Sequence, residues 1–203
     1  MRHLTTTGLT PGRSGPPQRG GFAARQAGVT LVELLTVVVI VAILMTIGVP
    51  SFRYVTTANR VATESDALLG DLQYARSEAI REGQQVTVCV SKDNANCDTA
   101  GSPPSWQEGW IIFSNPDNGN AVVSGKDPLL RAKSGFSSSD TFQSTNSIYA
   151  ISFSREGFAQ LGGTSTTITL HDSTSNQNYT RCLHVSQTGM MIIQTHSSDT
   201  TCQ

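Results

Sequence analysis

The chain has 203 residues, 37% of them hydrophobic, 14% charged and 6% aromatic, with a formal net charge of −1. That length can bury a core in one domain with an appendage, and a near-neutral balance argues against a general nucleic-acid binder, which carries a strongly basic one. The average conceals three unlike regions. Residues 1–28 hold four arginines (Arg2, Arg13, Arg19, Arg25) and no acid, whereas 29–49 are almost wholly apolar. Without the first 28, 10 basic side chains face 15 acidic ones, a balance of −5. Such unevenness excludes an ordinary cytoplasmic enzyme.

Residues 1–28 are rich in Gly, Pro, Arg and Thr and lack apolar periodicity. A stretch of that kind cannot bury enough surface to offset its chain entropy, which predicts disorder. The short apolar core and small-residue cleavage site of a secretory signal are missing, and the positive charge suits a segment retained on the cytoplasmic side of a membrane. Residues 29–49 follow as 21 apolar-rich positions. As a helix they span ~31 Å, close to the hydrocarbon thickness of a bilayer. Their apolar side chains run all the way round, which favours lipid over a buried core helix. Glu33 breaks the pattern: a carboxylate in such a segment costs roughly 2.5–3.5 kcal/mol on insertion scales, so it marks a functional site.

The sequence AGVTLVELL at 27–35 resembles the prepilin-peptidase site of type IV pilins and pseudopilins. The resemblance implies cleavage after Gly28 by a prepilin peptidase and N-methylation of the new N-terminus, Val29, where the family usually has Phe. Glu33 then falls at the fifth mature position, and Pro50 matches the family's helix-kinking proline. In the pilin model the freed N-terminal cation pairs with the glutamate of a neighbouring subunit. Pairing offsets the cost of burying Glu33 only when two subunits meet in register, so the charge acts as an assembly code.

Pro50 removes a backbone donor and predicts a kink without an end to the helix. From 51 to 82 an amphipathic pattern takes over, with Val61, Leu68, Leu72, Ala75 and Ala79 on one face. Arg60, Glu64, Asp71, Glu78 and Glu82 are expected on an opposite face, wet or against neighbouring subunits, and Arg53 and Arg60 near headgroups or those neighbours. Gly83 is a natural cap. The period then switches to two, and strands are expected at 86–90, 110–113, 148–153, 166–170, 183–186 and 190–194. Turn clusters separate them at 101–104 and 115–120, and the serines at 137–139 fit a loop. Residues 134–203 carry 26 Ser or Thr but only six charged side chains, a surface polar through hydroxyls.

Residues 73–79 (QYARSEA), 86–90 and 106–113 (WQEGWIIF), with a later element from 151 to Gly157, resemble the GspH/FimT family of minor pilins and pseudopilins. Trp106 and Trp110 are read as core residues. The resemblance implies an α+β pilin fold, a long kinked N-terminal helix packed on an antiparallel β-rich head. The expected regions are a cleaved leader (1–28), a transmembrane or filament-core helix (29–50), an amphipathic helix (51–83) and a periplasmic head (84–203).

Cys89, Cys97, Cys182 and Cys202 make an even number on the C-terminal side of the span, which reads as disulfides in an oxidising compartment. Of three pairings, the local one (Cys89–Cys97 and Cys182–Cys202) is favoured. A zinc site from Cys182, His184, His196 and Cys202 is the alternative, at an unfamiliar spacing. His171, His184 and His196 sit beside no nucleophile elbow, phosphate loop or metalloprotease motif, and His171-Asp172 reads as a strand end, so no enzyme and no cofactor are expected. Some FimT-like members bind DNA, and the resemblance implies a C-terminal G-R-x-R for that role. Here Met190 and Ile192 replace the arginines after Gly189, removing the cations on which phosphate affinity depends. Lys126, Arg131 and Lys133 form a small basic cluster read as a solvated loop. The expected protein is an inner-membrane, single-pass minor pilin that primes or caps a pilus with other minor pilins and the major pilin. A type II secretion pseudopilin is the runner-up, and a DNA-binding competence pilin the third reading.

Overall fold

Helix α1 (Leu31–Glu82) precedes nine strands among the described residues. The computed structural model describes residues 28–98, 104–116, 127–196 and 202. The leader through residue 27, most of the two turn clusters (101–103 and 117–120) and Lys126 lie outside them. The chain divides into two compact units, Met1–Met45 and Thr46–Gln203, with the boundary inside α1.

In the first unit the described side chains are all exposed, from Gly28 onward. In the second, α1 continues through Pro50 and buries Val61, Leu68, Leu72, Ala75 and Ala79, the positions its period selects. The helix ends at Gly83, whose φ of 68° turns its N–H onto the Ala79 carbonyl at 3.0 Å. The expectation of a wet acidic face is corrected. Glu64, Asp71, Glu78 and Glu82 stand three residues after buried positions, which places them along the flank of the core stripe rather than opposite it. Glu64 is buried, Asp71 bonds the Trp110 indole, and Glu82 bonds Ser114. Arg60 likewise faces the head, gripping Asp140 rather than headgroups or a neighbour.

The strands are β1 (Val86–Val90), β2 (Gly109–Ser114), β3 (Leu129–Ser134), β4 (Thr141–Ser144), β5 (Ala150–Phe153), β6 (Ala159–Gln160), β7 (Ser165–His171), β8 (Arg181–Ser186) and β9 (Met191–Thr195). They form two antiparallel sheets, ordered β3-β2-β1-β5-β6 and β4-β7-β8-β9. One core joins the helix stripe to inward residues of both, including Val88, Trp110, Ile112 and Phe153 of the first sheet and Phe142, Ile168, Leu183 and Val185 of the second. Both tryptophans are fully buried; Trp106 leads a short 3-10 turn into β2 and donates its indole N–H to the Ile148 carbonyl at 3.0 Å.

Three strands escape the sequence pattern. β3 is an exposed edge, β4 has one large apolar residue, and β6 is two residues long. Arg131 and Lys133 therefore sit on an edge strand, not on a loop. The alternation of β1 also misleads: Cys89, Ile111 and Phe113 form a second buried cluster on the other face of the first sheet, so β1 and β2 are covered on both sides.

Candidate functional site

The N-terminal segment begins with an exposed Gly28 and Val29, and Thr30 caps the helix: its Oγ1 accepts the Glu33 backbone N–H at 3.2 Å. T-L-V-E is thus the forward half of a capping box, with Glu33 at the third helical position. There its charge lies in the favourable field of the helix N-terminus. Thr36 fastens the next turn by donating to the Glu33 carbonyl at 2.8 Å. The large apolar side chains from Val29 to Val49 are all exposed, and the helix contains a stretch of mean hydropathy 2.7. The segment is therefore a ready-made surface for lipid or for other helices, with one carboxylate near its start. Pro50, without an N–H, lies within the same helix.

In the head the four cysteines pair as Cys89–Cys97 and Cys182–Cys202. The first closes the turn after β1. There Asp93 accepts from the Asn96 side chain (2.7 Å) and from the backbone N–H groups of Asn96 (2.8 Å) and Ala95 (2.9 Å). Those bonds, the Asn96 side chain first, hold its carboxyl well below the usual carboxylate range. The second disulfide fastens Cys202 to β8, and the Cys202 carbonyl lies 2.6 Å from His196 Nδ1. With Cys182 and Cys202 bonded to each other, the alternative zinc set loses both thiolates. Among the described residues no group of three His, Cys, Asp or Glu side chains is arranged to hold a metal. His171 and His184 each contact a threonine, Thr180 and Thr167. Asp172 accepts from Thr174 and Asn176, closing the turn after β7.

Two nodes tie the helix to the sheets. Asp71 accepts the Trp110 indole N–H at 2.8 Å and an Arg131 N–H at 3.2 Å, and the Arg131 guanidinium stacks 3.6 Å from the centre of the Tyr74 ring. Arg76 donates from Nε to the Gly157 carbonyl (3.0 Å) and from Nη1 to the Gly189 carbonyl (2.9 Å), clamping the β5–β6 and β8–β9 turns. Both glycines have positive φ, and a Cβ on Gly189 would lie 2.3 Å from the Gly157 oxygen. Around this clamp Ile80, Phe158 and Met190 are more than half exposed. Met190 and Ile192 thus present apolar surface at the positions where the DNA-binding motif would need cations.

A long helix whose second half packs on antiparallel sheets, preceded by an apolar half with one acid at its start, defines the class of pilins and pseudopilins. Residues 64–189 match the family model described as type II transport protein GspH, and 23–49 match the prokaryotic N-terminal methylation motif. The chain belongs to the GspH family. Among solved structures, the type IV minor pilin FimU of Pseudomonas aeruginosa (strain PAO1) shares the fold at 22% identity and a TM-score of 0.53, over 68% of this chain and 91% of that one. A second crystal form of the same protein aligns at 21% identity and a TM-score of 0.47, over 70% and 93%. No curated protein matches the chain.

Proposed function

We propose that this chain is a minor type IV pilin, a non-catalytic subunit that primes or caps pilus assembly. It is made with a leader, cleaved after Gly28, methylated at Val29 and held in the inner membrane by residues 29–50 with its head in the periplasm. The observation that carries the reading is the exposed apolar helix surface with Glu33 in its first turn, inside a segment that matches a methylation motif. In this reading the free N-terminus of one subunit meets Glu33 of the next, and the head supplies lateral contacts to other minor pilins. The head's balance of −3, from six basic and nine acidic side chains at 84–203, and the apolar Met190 and Ile192 disfavour a role in holding DNA.

A type II secretion pseudopilin is the second reading, supported by the description of the matched family. Capture of the full chain in detergent against minor pilins and against secretion pseudopilins separates the two. Retention of minor pilins alone is the expected result. Retention of pseudopilins alone overturns the first reading in favour of the second.

A further inference from the structure

Where α1 faces the segment entering β4, two acids and one cation lie close together. Asp140, its side chain fully buried, takes both available bonds from Arg60: Nη2 donates to Oδ1 at 2.7 Å and Nε to Oδ2 at 2.8 Å. Glu64, one turn after Arg60, is 8% exposed. Its Oε1 accepts the Ser138 hydroxyl at 2.9 Å, while its buried Oε2 has no donor among the described residues. The charged groups acting on this pair come from each element packed around it. Arg60 comes from α1, Asp140 from the segment before β4, and Asp172 from the turn after β7, through its effect on Arg60.

A second carboxylate there would be a buried charge beside a like charge whose counter-ion is already engaged, and its orphaned oxygen would carry the desolvation cost. A neutral carboxyl removes both problems, because a protonated Glu64 can donate a hydrogen bond to the neighbouring Asp140 carboxylate. We propose that Glu64 retains a proton in the folded head and donates it to Asp140, so that the seam between helix and second sheet is a proton-dependent latch. Burial pushes the Glu64 carboxyl up from its ordinary value; the Ser138 hydroxyl pulls it down, and Asp140 pushes it up again. The folded head then binds a proton that the unfolded chain releases. Stability falls as pH rises from the ordinary glutamate range through the folded value, and levels off above it. Acidification tightens the latch and alkaline conditions loosen it.

Glu64→Gln mimics the latched state at every pH, since its amide donates to Asp140 while its carbonyl accepts from Ser138. The test is urea unfolding of the full chain in detergent micelles between pH 4 and 8, wild type against E64Q. Their unfolding constants should converge at the acid end and separate severalfold in favour of E64Q as pH rises to 8, because only the wild-type chain loses a proton on unfolding there. A ratio independent of pH overturns the proposal. Carboxyl-carbon NMR of the wild-type chain decides independently, even where the variant fails to fold: Glu64 should titrate above the exposed glutamates, and downward again in D140N. Titration of Glu64 with the exposed glutamates rejects the latch.

Discussion

Arg76 and Gly189 are held together from both sides. The guanidinium donates to the Gly189 carbonyl at 2.9 Å, and the missing side chain of Gly189 leaves the room it occupies, since a Cβ there would sit 2.9 Å from Nε. The same Cβ would meet the Gly157 oxygen, and φ at Gly189 is +78°. Gly189→Ala should therefore destabilise the head by about 2 kcal/mol or more, through backbone strain and displacement of the clamp. Urea unfolding of the variant against wild type measures it, and an unchanged midpoint would sink the account.

Asp71 tests the node beneath Trp110. Asp71→Ala leaves a buried indole N–H without an acceptor and should cost about 1–3 kcal/mol, whereas Asp71→Asn keeps an acceptor oxygen and should cost less. Unfolding followed by tryptophan fluorescence gives both values. Equal losses in the two variants would show that the hydrogen bond contributes nothing.

The helix stripe is legible in the sequence because its residues recur with a helical period, and Trp106 and Trp110 because large aromatics demand burial. The flanking acids mislead when charge type is weighed above position: Glu64 and Asp71 stand three residues after Val61 and Leu68 and share their side. β3 and β4 are invisible, one an exposed edge carrying cations, the other mostly polar. The clamp leaves no local signal at all, since Arg76 and Gly189 are 113 positions apart. In the N-terminal segment the glycine, glutamate and proline registers are readable, and the T-x-x-E spacing behind the Thr30 cap is a local signal as well.

The two disulfides differ in the loops they close, with sequence separations of 8 and 20. Loop-closure entropy assigns about 2.6 kcal/mol to Cys89–Cys97 and about 3.3 kcal/mol to Cys182–Cys202. Paired Cys→Ser variants should follow that order in denaturant midpoint. A larger loss at Cys89–Cys97 would show that its place beside the second buried cluster outweighs the entropy.

Asp93 predicts an acid-side effect. Its depressed carboxyl contributes stability above about pH 3.9 that is lost as pH falls toward the folded value, because the unfolded chain takes up the proton first. Wild type should exceed Asp93→Asn in thermal midpoint at pH 7, with the gap closing below about pH 4. A gap of constant size between pH 5 and pH 2 would contradict the assignment.

The helix-terminus effect of Glu33 and the assembly role proposed for it separate experimentally. In the first turn its charge complements the helix N-terminus, an effect of about 1 kcal/mol or less; in the proposed function it also sets the register of incorporation. Glu33→Ala should leave membrane insertion intact, by fractionation, while the subunit disappears from sheared filaments. Normal recovery of the variant in filaments would leave only the helix-terminus effect.

The strand order bears on the chain as it is made. β4 belongs to the second sheet, yet β5 and β6 return to the first before β7 arrives to pair with it. A product ending between β4 and β7 therefore exposes an edge that only later residues can cover, an opening for strand pairing between chains. Shortened forms of this head should precipitate rather than persist as smaller domains, and ribosomal stalling or clipping between residues 145 and 164 would feed quality-control proteolysis.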